Sequence, residues 1–294
     1  RAMGAEISLE DGYVIAKAPK GLHGAHIPLA FPSWTGTENI LMAAVTAKGE
    51  TVIENAAREP EVIDLVRMLK RMGAKIDGEG SDTITIKGVR SLTPCDYDVI
   101  PDRIEAGTFL AACGITRGNI VIEGCVPHHL KAVTDKLREA GMDIIEDGNS
   151  LRAAMTKKRP FAIDIKTTPY PGFPTDMQAQ TMALMCISKG VSAITETIFE
   201  NRMMHAAELR RMGADVRVIG NTAIVTGKDM LSGAKVMATD LRASASLIIA
   251  GLAAYGTTEV SRIYHIDRGY EAIEEKLKGL GAKISRRKDE GMGS

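Results

Sequence analysis

A short string recurs five times along this 294-residue chain, and its spacing restricts the fold more than any other feature. It stands first as Arg1-Ala2-Met3-Gly4-Ala5-Glu6-Ile7 and returns as Arg71-Met72-Gly73-Ala74-Lys75-Ile76 and Glu139-Ala140-Gly141-Met142-Asp143-Ile144. The last two copies are Arg211-Met212-Gly213-Ala214-Asp215-Val216 and Gly279-Leu280-Gly281-Ala282-Lys283-Ile284. The key glycines, at 4, 73, 141, 213 and 281, lie 69, 68, 72 and 68 residues apart. A basic or apolar residue, then Gly, then an alternating segment is the pattern of a helix stopped by a left-handed residue and followed by a strand. Four copies follow an amphipathic helix; before Gly73, for example, Val62, Val66, Leu69 and Met72 fall on one face. The first copy has no helix before it.

A second signal alternates with the first. Four apolar stretches of helical length end at Gly49, Gly118, Gly190 and Gly256, and each glycine precedes an alternating strand. Each repeat therefore reads as a buried helix, a strand, an amphipathic helix and one or two strands. No strand leads into G-x-G-x-x-G, which argues against a doubly wound dinucleotide fold. An α+β repeat fold is expected.

Lys+Arg and Asp+Glu both number 37, and aromatics make up only 4% of residues, which disfavours both wholesale polyanion binding and a base-stacking nucleic-acid platform. Cys95, Cys113, Cys125 and Cys186 form no CxxC pair, so a reduced, cytoplasmic protein without disulfides or a zinc site is expected. The longest apolar stretch, around Leu247–Tyr255, is too short to span a membrane.

The apolar helices begin near a recurring acid: Asp102, Asp176 and Asp240. Helix capping explains such a pattern, and Thr175 with Gln178 fits a capping box. A repeat fold would also gather equivalent helix N-termini at one end, where their dipoles favour an anion. Arg103, Arg242 and Arg268 stand close to such acids, and arginine grips carboxylate or phosphate in a bidentate manner. A surface ion pair is the competing reading for each. Cys125, followed by His128 and His129, sits at a strand end and reads as structural rather than nucleophilic. Trp34 is a lone aromatic in a turn-rich loop, there either to pack the loop or to line a ligand.

The strings TVIENAAREPE, PDRIEAGTF, FPTDMQAQ, ITETIFENR, ATDLRASASL and RIYHIDRGYEAIEEKL resemble the UDP-N-acetylglucosamine enolpyruvyl transferases, within the enolpyruvyl transferase family, over essentially the whole chain. The resemblance implies a two-domain inside-out barrel of βαβαββ units. Five units would be present here, the first incomplete. Residues 1–98 would close the first domain and 99–294 would form the second. It implies transfer of enolpyruvyl from phosphoenolpyruvate to the sugar 3′-hydroxyl, with phosphate released through a tetrahedral intermediate and no metal or other cofactor.

Asp176 then matches the general base at the 3′-hydroxyl. Arg242 and Arg268 match arginines of the phosphoenolpyruvate site, and Ile198 a position packed on the UDP-sugar. Phe31–Trp34, including Ser33, matches a nucleotide-contacting loop, although Trp34-Thr35-Gly36 stands where many relatives have Val-Gly-Ala. The mobile loop with the family's proton donor has no match, and Cys125 does not replace it. The resemblance thus implies a C-terminal two-thirds, unable to complete the reaction without a preceding segment of the same protein. Three alternatives stay open: a transferase using shikimate phosphate or an unusual nucleotide, a non-catalytic repeat-fold binding protein, and an RNA-end cyclase, which would need a nucleotidylated His.

Overall fold

A computed structural model describes residues 1–287, which fall into two compact units. The first holds 1–100 with 169–171, the second 101–168 with the described residues from 172 onward. The first unit opens with a hairpin of β1 (Glu6–Glu10) and β2 (Tyr13–Lys17). One repeat follows: β3 (His26–Pro28), α1 (Trp34–Ala44), β4 (Glu50–Glu54), α2 (Pro60–Arg71), β5 (Lys75–Asp77) and β6 (Thr83–Lys87). Its sheet runs β3-β4-β6-β5, with β3 parallel to β4 and the other pairs antiparallel. Along β4, Thr51 and Ile53 are buried while Glu50 and Glu54 are exposed, the period-2 pattern of a sheet with one covered face.

The second unit contains three repeats. The first has α3 (Arg103–Thr116), β7 (Asn119–Ile122), α4 (Lys131–Glu139), β8 (Asp143–Asp147) and β9 (Ser150–Ala154). The next has β10 (Ile165–Lys166), α5 (Gln178–Met185), β11 (Val191–Thr195), α6 (His205–Arg211), β12 (Asp215–Ile219) and β13 (Thr222–Thr226). Its sheet order, β10-β11-β13-β12, reproduces that of the first unit. The last has β14 (Leu231–Ser232), β15 (Lys235–Met237), α7 (Leu241–Leu252), β16 (Ala254–Tyr255), β17 (Glu259–Ser261), α8 (Tyr264–Asp267) and α9 (Ile273–Gly279).

The α+β repeat architecture stands, and two repeats depart from βαβαββ in detail. Residues 91–102 form no strand ahead of α3, so that sheet has three strands, β7-β9-β8. The strand expected after Gly281 is absent among the described residues.

Three helices, α3, α5 and α7, pack on one another at the centre of the second unit. All eight residues of α5 are buried. A helix apolar on every side must be surrounded, and this explains why the helices lie inside while each sheet offers one alternating face to them. The amphipathic helices bury a single stripe, such as Val133, Thr134 and Leu137 of α4.

The five repeat glycines behave as expected: φ is +89 at Gly4, +100 at Gly73, +97 at Gly141, +84 at Gly213 and +96 at Gly281. Gly118 departs from the plan, because Arg117 (φ 55) takes the left-handed position instead. A further role of glycine is absent from the pattern. Gly88 and Gly227 donate backbone hydrogen bonds to the carbonyls of Gly49 and Gly190. A Cβ there would lie 1.6 Å from the Ala47 carbonyl oxygen and 1.9 Å from that of Ser188. The repeat that turns at Arg117 has Met155 in this place, bonded to the Gly118 carbonyl at 3.1 Å.

Because backbone cannot yield as a side chain can, Gly227→Ala should cost about 3 kcal/mol or more in urea unfolding. At Gly220 φ is +59 and nothing lies within 4 Å of an added Cβ, so Gly220→Ala should cost only about 1 kcal/mol. Equal costs would show that the backbone at Gly227 shifts to relieve the carbonyl contact.

Candidate active site

The acids at the helix starts divide into two kinds. Asp102 caps α3, accepting from the backbone N–H groups of Ile104 and Glu105. Asp240 caps α7 in the same way through Arg242 and Ala243. Each satisfies donors that the helix cannot, a contribution of about 1 kcal/mol. Asp176 is different. It sits in a 3-10 turn before α5 and makes no cap. Nor does the expected capping box form: Thr175 donates to Glu196 Oε2 at 2.8 Å, and Gln178 turns to Met203.

The Asp176 carboxylate is held by two guanidinium groups. Arg242 Nη2 lies 2.9 Å from Oδ2, and Arg202 Nη1 lies 2.8 Å from Oδ1. Arg242 extends from the first turn of α7, and Arg202 from the segment before α6. Burial alone would raise the Asp176 carboxyl, but Arg242 and Arg202 outweigh it and hold the group below the usual carboxylate range. Arg242 is 9% exposed and is in turn held above its ordinary value: burial opposes its charge, and Asp176 with Tyr270 more than restores it.

Each arginine has a further anchor. Arg242 Nη1 donates to the Tyr270 hydroxyl at 3.1 Å, and Arg202 Nη1 to Thr175 Oγ1 at 2.9 Å. Glu196, at the end of β11, is buried and accepts from Thr175, Thr167, and the Ile198 and Phe199 N–H groups. Asp176, Glu196, Arg202 and Arg242 thus form a charge-balanced cluster in one unit. His205 lies in its field. Burial depresses it to about 4, Asp240 raises it, Arg202 lowers it and Glu196 raises it, so it is neutral at pH 7.

Of the residues singled out in the sequence, Asp176 and Arg242 are brought together. Arg268 lies in the same unit but is exposed at the end of α8, outside the cluster among the described residues. Ile198 is half-buried and is fixed by its N–H bond to Glu196. Ser33 and Trp34 belong to the other unit. Ser33 caps α1, accepting from Gly36 N at 3.2 Å. Trp34 is the first residue of that helix rather than part of a loop, and its indole N–H donates to Glu38 at 2.9 Å. Arg103 is buried at the first position of α3.

Cys125 is buried, donates to the Ile122 carbonyl, and is pushed up by burial. Its neighbours His128 and His129 stack on each other edge to face. Among the described residues, no group of three or more His, Cys, Asp or Glu side chains could hold a metal, and no helix is long and apolar enough to cross a membrane. Arg202, Glu196 and Tyr270 had no individual mark in the sequence, and Thr175 was marked only as a capping residue. Arg202 is the final residue of the ITETIFENR string, which was the only signal available.

Comparison with known proteins places the chain in a family. The sequence model for EPSP synthase (3-phosphoshikimate 1-carboxyvinyltransferase) matches residues 1–277. The chain belongs to this family of enolpyruvyl transferases. It is 61% identical over 288 residues to the UDP-N-acetylglucosamine 1-carboxyvinyltransferase of Geobacter metallireducens, covering 98% of this chain and 69% of that relative. The enzyme of the same name from Trichlorobacter lovleyi is 60% identical over 286 residues, 97% of this chain and 68% of that relative. Among solved structures, the enolpyruvyl transferase NikO from Streptomyces tendae superposes with TM-score 0.86 at 28% identity, covering 96% of this chain and 69% of that one. EPSP synthase from Acinetobacter baumannii, at 19% identity and TM-score 0.68, shares the fold.

The lowered Asp176 carboxyl gives a stability prediction. A depressed folded-state pKa contributes stability that is present above the unfolded value, near 3.9, and is lost as pH falls through the folded value. Asp176 keeps 20% of its side chain exposed, so breaking its pairs with Asp176→Asn should cost about 2 kcal/mol at pH 7, less than a fully buried pair. Urea unfolding against pH should show the gap between the two proteins narrowing below about pH 4. A gap independent of pH would mean that the carboxylate charge contributes nothing.

Proposed function

We propose that this protein transfers enolpyruvyl from phosphoenolpyruvate to the 3′-hydroxyl of UDP-N-acetylglucosamine, releasing phosphate, in the cytoplasmic synthesis of peptidoglycan precursors. The observation that carries this reading is the Asp176–Arg242–Arg202 cluster, in a chain 61% identical to a relative of that name. Phosphoenolpyruvate brings a phosphate and a carboxylate, and two guanidinium forks match that charge. The four free thiols, three of them buried, fit a reducing compartment.

Asp176 is the proposed general base. It is ionised at neutral pH and accepts the hydroxyl proton as the sugar oxygen bonds to C2 of phosphoenolpyruvate, while the C2–C3 double bond opens and C3 takes a proton from a general acid outside this cluster. A C3 proton then returns to the conjugate base of that acid as the C2–O bond to phosphate breaks, which leaves the enolpyruvyl ether and free phosphate. An anion that draws Arg202 and Arg242 onto itself would weaken their hold on Asp176 and make it more basic as substrate arrives. Arg268, exposed on the same unit, is free to turn to the same anion. Ser33, Trp34 and Ile198 are assigned to the nucleotide sugar. While the Ser33 oxygen caps α1, its hydroxyl proton can donate to a diphosphate oxygen.

Calorimetry tests the assignment and its runner-up together. Phosphoenolpyruvate, titrated into protein saturated with UDP-N-acetylglucosamine, should bind, and Arg242→Lys should weaken it about tenfold or more by removing the fork. Shikimate 3-phosphate should not bind, and the reverse preference would favour the other acceptor. In turnover, Asp176→Asn should lower phosphate release by about 10²–10⁴-fold. Unchanged turnover would sink the base assignment and favour a non-catalytic protein.

A further inference from the structure

Behind Arg242 a line of buried hydroxyl and amide groups crosses all three central helices. Tyr270, 1% exposed, follows α8, and its hydroxyl lies 3.1 Å from Arg242 Nη1. Its ring also lies beneath the guanidinium, 5.7 Å from ring centre to the guanidinium carbon. On its other side the hydroxyl is 2.8 Å from Thr108 Oγ1 of α3. Thr108 Oγ1 lies 2.9 Å from the Ile104 carbonyl and accepts from Gln180 Nε2 of α5 at 3.1 Å.

Counting protons fixes the direction of this line. A guanidinium has only donors, so the Tyr270 oxygen must accept from Arg242. A carbonyl has only lone pairs, so the single Thr108 proton goes to Ile104. Thr108 then has two lone pairs, filled by Gln180 and by the Tyr270 proton. Every hydroxyl group is satisfied in one arrangement: Arg242 donates to Tyr270, Tyr270 to Thr108, and Thr108 to Ile104. Burial pushes the Tyr270 phenol up, so its proton is retained at neutral pH.

We propose that Tyr270 is a positioning residue: oriented by Thr108 and Gln180, it fixes one arm of Arg242, and so aims the other arm at Asp176 and at the anion that replaces it. No other donor or acceptor among the described residues lies on Arg242 Nη1. Without the phenol oxygen this buried arm has no acceptor, and the guanidinium must rotate towards one, taking Nη2 off line. Arg202 still reaches the other Asp176 oxygen, so the carboxylate keeps one partner. The remaining charged groups nearby are Glu196, joined through Thr175, and Asp102, whose charge acts on Tyr270.

The anion part rests on the proposed function, while the aiming of Arg242 does not, and the experiment separates them. In protein labelled with 13C at aspartate carboxyls, Asp176 is assigned from the signal missing in Asp176→Asn. Its midpoint should rise by about 0.5 pH unit or more in Tyr270→Phe, because a guanidinium that lowers it has moved. Thr108→Val should shift it the same way by less, and Thr108→Ser should restore it. In calorimetry Tyr270→Phe should weaken phosphoenolpyruvate about fivefold or more and leave UDP-N-acetylglucosamine within about twofold. A folded Tyr270→Phe with an unchanged Asp176 midpoint overturns the proposal, whatever its melting temperature. If that variant does not fold, the Thr108→Val and Thr108→Ser pair decides in the same way. A shifted midpoint in a protein that binds no phosphoenolpyruvate would uphold the positioning role and refute the substrate assignment.

Discussion

A carboxylate shared between two guanidinium groups is the constraint around which the second unit is arranged. Asp176 is mostly buried, and so are Arg202 and Arg242. Taking such charges out of water costs several kcal/mol each unless geometry and further hydrogen bonds compensate. The compensation comes from separate parts of the chain: α7 supplies Arg242, the segment before α6 supplies Arg202, and Tyr270 and Thr175 each accept one further hydrogen bond from them. Glu196 balances the second positive charge through Thr175, with backbone N–H groups completing its shell. The apolar central helices make this arrangement rigid. They also leave it little room to relax, so an arriving anion must compete directly with Asp176 for the arginines.

Much of this architecture was legible in the sequence because it is periodic. Five glycines recur near one spacing, four of them after helices, and all five have left-handed backbone. Apolar stretches against amphipathic ones separated inner helices from outer. Asp176 and Arg242 were readable because each stands in a distinctive string, and capping correctly accounts for Asp102 and Asp240. The capping box at Thr175 was a local pattern overruled by a stronger partner, the buried Glu196 carboxylate. Arg202, Glu196, Thr108 and Tyr270 were beyond local reading, since their meaning lies in contacts across as many as 162 residues. Nothing in a single helix period shows that Thr108 faces a tyrosine from the chain's far end.

Two of the glycines that approach carbonyls, Gly88 and Gly227, show a different kind of concealment. Each directly follows a strand and looks like an ordinary strand terminator. Their function appears only when one repeat is laid over another: the same backbone hydrogen bond recurs, and the space for a side chain is missing in both.

That contact also says something about how such a molecule could be rebuilt. The repeats look like copies, yet the one turning at Arg117 accepts Met155 where its counterparts tolerate only glycine. Its helix end and closing strand have diverged as a pair. A chimaera that exchanged the closing strand alone would drive a methionine into a carbonyl in one place and leave a hole in another. The interchangeable module is therefore larger than the visible string: it begins with the inner helix and ends after the last strand, and only whole segments of that length could be shuffled.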